Sequence, residues 1–149
     1  MNTMQCRLRI TTTESDATYV MVRRHQFAVG RPLDFDDESA HVAAIEYALG
    51  ALGAEIVSGL RVFAKRRRVE LDEVEAVVDG EVEHPLTYLE VVGESGQPAL
   101  SGVSIKVYVA SPRDEETLRQ LWHETLARLP LLRTFSHAMK CSIELTLTA

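Results

Sequence analysis

The segment from Val42 to Lys65, VAAIEYALGALGAEIVSGLRVFAK, constrains the fold more than any other stretch. From Val42 to Ala64 it is apolar or small at nearly every position, interrupted by Glu46, Glu55, Ser58 and Arg61. A helix that is hydrophobic all round is a buried helix. A carboxylate in its middle is costly unless it is paired, hydrogen-bonded or protonated. Glu55 is therefore the residue on which a functional reading turns.

The chain has 149 residues, enough for one domain over 1–149 with a real core. Its 46% hydrophobic and 26% charged residues are an ordinary globular balance. A net charge of −6 argues against nucleic acid as a partner. The two cysteines, Cys6 and Cys141, lie near opposite ends and form no CxxC pair, so a reducing cytoplasm and structural thiols are expected. The N-terminus MNTMQCRLRI has no apolar signal-like core. The long apolar segment is too interrupted by Glu and Arg for a membrane span, and no membrane partner is expected.

Met4 to Ile10 and Thr18 to Val29 read as strands, with the polar stretch TTTESDA as the turn between them. Gly30 to His41 is a polar loop in which Ser39 is placed to cap the long helix. That helix ends in Lys65-Arg66-Arg67-Arg68, a solvated end suited to the helix dipole or, alternatively, an anion-binding patch. Leu71 to Val82 and Val103 to Val109 alternate as strands, and a short strand is expected around Tyr88 to Val92. Ser111-Pro112 opens a second helix with Ser as cap, its stripe being Leu118, Leu121, Trp122 and Leu126. Pro130 stops it, and Cys141 to Leu147 closes the fold as a strand. The class is α+β.

Taken with this order of elements, the loop GRPLDFDDESA, the motif AIEYALGALGAE, the run SGVSIKVYVASPRDEETLRQL and the turn LPLLRTF resemble the OsmC/Ohr superfamily, from about Val20 to Leu147. These are the osmotically inducible protein C and organic hydroperoxide resistance proteins. The resemblance implies antiparallel sheets around a long buried central helix in an intertwined homodimer. It also implies an apolar cleft at the subunit interface. The family's chemistry is reduction of organic hydroperoxides by a cysteine pair, one thiolate attacking and the second thiol resolving the sulfenic acid. The first cysteine follows a small-residue run on the central helix, where this chain has Ala51-Leu52-Gly53-Ala54-Glu55. The second precedes a proline, where this chain has Leu129-Pro130. The family's Pro-Glu at the start of the central helix corresponds to Ala44 and Ile45, with Glu46 one position later. Arg23 and Arg24 are candidates for the family's active-site arginine.

The resemblance thus implies an OsmC-like dimer without the cysteine site, binding a small apolar ligand in the cleft. The ligand-binding candidates are Glu55, Glu46, Arg24 and His25. One alternative is an enzyme using Glu55 as general acid or base, helped by His25, His123 or His137. Another is a residual thiol peroxidase using Cys6 or Cys141, with Arg7 and Lys140 as adjacent cations. No cofactor is expected. A metal site is not expected either, because His25, His41, His84, His123 and His137 show no ligand spacing. Glu46 and Glu55, nine residues apart, fall on opposite helix faces.

Overall fold

Strict alternation builds the second half of the chain. In β6 (Lys140–Thr148) every second side chain turns inward, and β5 (Ala99–Ala110) buries Val103, Ile105, Val107 and Val109 on one face. The computed structural model describes residues 1–12 and 17–149. The remaining elements are β1 (Arg9–Thr12), β2 (Thr18–Val22), β3 (His25–Val29), α1 (Ala44–Arg67), β4 (Glu73–Glu83), α2 (Pro85–Tyr88), α3 (Glu115–Leu126) and α4 (Pro130–Ala138). This is an α+β arrangement, as the sequence implies. The turn expected over TTTESDA falls largely on residues 13–16, outside the described residues.

The chain divides into two compact units, 1–48 and 49–149. In the first, β1, β2 and β3 form an antiparallel sheet in that order. The stretch expected as one strand from Thr18 to Val29 folds back on itself. Arg23, at φ 54°, makes the turn, and Val22 pairs with His25. In the second unit β5 is central, antiparallel to β4 and parallel to β6. The sheet is therefore mixed, because α3 and α4 carry the chain from the end of β5 back to the start of a parallel strand. One core joins Leu52, Ile56, Leu60 and Ala64 of α1 to the inner face of β5, to Leu118, Leu121 and Trp122 of α3, and to Leu129 and Leu132.

Three local expectations fail for identifiable reasons. Tyr88 to Val92 is no strand: Pro85 starts the short helix α2, and Glu90 at φ 57° turns the chain after it. Ser111 does not cap α3. Asp114 does, accepting from the Thr117 N–H at 2.9 Å, while the Ser111 hydroxyl donates to the Glu70 carbonyl. Pro130 ends nothing; it is the first residue of α4. The apolar helix is also buried on one face only. Leu52, Gly53, Ile56, Gly59, Leu60 and Ala64 are inside, whereas Gly50, Ala51, Ala54, Ser58 and Val62 are exposed. By length and composition α1 could cross a membrane, a test that core helices also pass.

Candidate functional site

Helix α4 starts without a cap of its own. Its N-cap residue is Leu129, whose side chain can accept nothing, and Pro130 has no N–H to satisfy. The next two donors, the N–H groups of Leu131 and Leu132, point at Glu55 on α1. Oε1 accepts from Leu131 at 2.8 Å and Oε2 from Leu132 at 3.0 Å. Both oxygens of the half-buried carboxylate are thus engaged by one helix N-terminus, whose positive dipole end suits their charge. Such a cap, reaching across 76 residues of sequence, contributes about 1–2 kcal/mol. The acid sits in an apolar helix because another helix needs it.

One turn further along α1, Gly59 lets Leu129 in. A Cβ at Gly59 would lie 2.7 Å from Leu129 Cδ2. Leu129 is 5% exposed, so the residue that cannot cap α4 is instead wedged into the core against α1. Gly53, two residues before Glu55, approaches Val78 of β4 as closely, a built Cβ there lying 2.8 Å from Val78 Cγ2. Glu55 and Leu129, the positions where the resemblance puts the two cysteines, are neighbours across the α1–α4 junction. One clasps the start of α4 and the other fills the space beside it.

Glu46 is a capping group too, for its own helix. Its Oε1 accepts from the N–H of Ala43 at 2.9 Å, the return half of a capping box. The free N–H groups of Ala44 and Ile45 donate to the carbonyls of Arg31 and Pro32. Ser39 is not the cap. Its side chain bonds Asp34, and this, with the N–H of Asp36, holds the Asp34 carboxyl below the usual range. The buried-acid premise is corrected in both cases: Glu46 is exposed, Glu55 is half-buried, and backbone N–H groups supply their partners.

The other candidates are dispersed. Arg24 and His25 are exposed at the β2–β3 turn, with Arg23 beside them. Tyr47, missed by sequence reasoning, packs its ring against Phe27, centroids 5.3 Å apart and planes tilted by 38°, and donates to the Ala28 carbonyl. His123 and His137 are exposed, on α3 and α4. Arg61, which also breaks the apolar run, donates to the carbonyls of Leu71 and Asp72 at 2.6 and 3.1 Å. Cys6 is exposed and outside any element, whereas Cys141 is half-buried in β6 against the core. Among the described residues no three acidic, histidine or cysteine side chains gather as metal ligands would.

The sequence profile described as OsmC-like protein matches residues 36–144. No functionally curated protein matches the sequence. Among solved structures, the OsmC-like protein from Mycoplasma pneumoniae superposes with a TM-score of 0.80 at 14% identity, over 98% of this chain and 99% of that one. An organic hydroperoxide resistance protein OsmC from Legionella pneumophila gives 0.69 at 9% identity, over 98% and 99%. The organic hydroperoxide resistance protein OhrB of Bacillus subtilis gives 0.64 at 14% identity, over 94% and 98%.

Proposed function

The chain belongs to the OsmC-like protein family, and from that premise we propose that it is a member without the cysteine-based peroxidase reaction, acting as a homodimer that binds a small apolar molecule. The observation that carries this reading is the clasp of Glu55 on the N–H groups of Leu131 and Leu132. A carboxylate matches the negative charge of a thiolate, but it has no sulfur for a hydroperoxide to oxidise to a sulfenic acid. Leu129, packed over Gly59, offers no resolving thiol. The two positions are committed to holding α4 in place.

Dimerisation has its own support. Among the described residues of 1–48, the buried apolar side chains are Ala17 and Ala43, while Leu8, Ile10, Phe27 and Phe35 are exposed. A three-stranded sheet with so little core needs covering. On α1 the outward face carries Gly50, Ala51, Ala54, Ser58 and Val62, small enough for a second helix to approach closely. A second copy of the chain answers both needs, with residues 1–149 as one domain of the pair. The apolar cleft expected between copies is where the ligand would lie. A cytoplasmic location belongs to the same reading.

The alternative that Glu55 is a general acid or base is less well supported, since both its oxygens already accept from backbone N–H groups. The test of the redox-free reading is consumption of cumene hydroperoxide by the purified chain with a dithiol reductant. Consumption should match that of a Cys6→Ser, Cys141→Ser double variant and of buffer. Catalytic turnover that disappears in the double variant would overturn the reading.

A further inference from the structure

The basic run that closes α1 does more than meet the negative end of the helix dipole. The guanidinium carbons of Arg66 and Arg67 each lie 5.3 Å from the ring centroid of Phe63, and that of Arg128, beyond the end of α3, lies 5.9 Å away. These are cation–π distances, so one aromatic ring gathers three guanidiniums. Among the described residues, the ion pair drawn from this cluster is that of Arg67 with Glu124. Arg128 donates to the backbone carbonyl of Glu124 at 2.6 Å, not to a carboxylate. The cluster therefore keeps an excess of positive charge on a chain whose net charge is −6. The Glu124 carboxyl is held below its usual range by the hydrogen bonds of Gln120 and Arg67, with the charges of Arg67 and Arg128 adding to them.

Arg67 also forms one wall of a groove of about 220 Å³ that runs along α3. Arg113 stands in its lining with Thr117, the amide-bearing Gln120 and Glu124, the partner of Arg67, and Val69 and Leu121 supply apolar surface. A carboxylate brings one charge and two oxygens, and Glu124 already brings that much. A phosphate monoester brings up to two charges and three acceptor oxygens, which suits several guanidiniums better.

We propose that this groove binds a small molecule carrying a phosphate group, with Arg67 and Arg113 of its lining holding the phosphate, Arg66 and Arg128 adding positive charge from beside the Phe63 ring, and Val69 and Leu121 meeting an apolar portion. The site is independent of the Glu55 reading and stands or falls separately from it.

The test is an amide NMR titration of the full chain at constant ionic strength, with phenyl phosphate, inorganic phosphate and benzoate as probes. Saturable shifts confined to residues 66–69, 113–124 and 128 are expected. Benzoate should bind at least about tenfold more weakly than phenyl phosphate. Arg66→Gln, which leaves the Arg67–Glu124 pair in place, should weaken phenyl phosphate severalfold with an unchanged Tm. Arg128→Gln should do so as well. The proposal is overturned by shifts that never saturate, by equal response to benzoate, or by binding that neither variant changes. A response to anionic vesicles without one to phenyl phosphate would also overturn it, since it would assign the patch to a membrane surface.

Discussion

Residues 49–149 bury a continuous core of α1, α3, α4 and β5 side chains, whereas residues 1–48 bury little beyond Ala17 and Ala43 among those described. Both units contain three strands. They differ in what covers the strands. In the larger unit the inward residues of β5 meet leucines from helices of the same unit. In the smaller, the β2 side chains are all half-buried and Ile10 of β1 is 59% exposed. A hydrophobic pattern is satisfied only when a second surface closes on it. The larger unit closes on itself, and the smaller depends on something else, which the proposed dimer supplies.

In the self-sufficient unit a truncated core side chain leaves a cavity. Leu60→Ala, at a position 1% exposed, should cost about 2–5 kcal/mol in urea unfolding. Next is the clasp. Glu55→Ala should cost about 1–2 kcal/mol, and Glu55→Gln, which keeps one acceptor oxygen, clearly less. Ile10→Ser should lower stability by about 1 kcal/mol, and its Tm should rise with protein concentration more steeply than that of the unaltered chain. If Ile10 stays in water, neither change appears.

The smallest effect concerns acid. The Thr117 N–H and hydroxyl hold the Asp114 carboxyl below its ordinary value of 3.8. Its folded-state pKa is depressed, so its stabilising contribution is complete above the unfolded value and fades as pH falls through the lower folded one. Asp114→Asn should flatten stability against pH in that acidic window and leave the slope near neutrality unchanged, as read from denaturant midpoints at successive pH values.

Much of the fold is legible in the sequence because its signals are local. Val103 to Val109 and Cys141 to Leu147 alternate, and both are strands, each longer than the alternation alone suggests. The stripe Leu118, Leu121, Trp122 and Leu126 is core, as its spacing implies. Pro130 was legible as a boundary but not as to which side, since proline both ends a helix and suits the first position of the next. The site was half legible. An acid in an apolar helix marks Glu55 as unusual, but its partners lie 76 and 77 residues away, and no periodicity spans that distance. Glu46 could have been read as a local cap from its place three residues after Ala43. The arginines around Phe63 meet through tertiary packing, with Arg128 more than sixty residues from the ring it approaches.

Glu55 serves as a structural anion at the head of α4. Amide hydrogen exchange at Leu131 and Leu132 tests it most directly, in the unaltered chain and in Glu55→Ala. Both amides should be protected in the first and should exchange at least about tenfold faster in the second, with the core amides of β5 much less affected. Unchanged protection at Leu131 and Leu132 in Glu55→Ala would contradict the account, because those N–H groups would then owe nothing to the carboxylate.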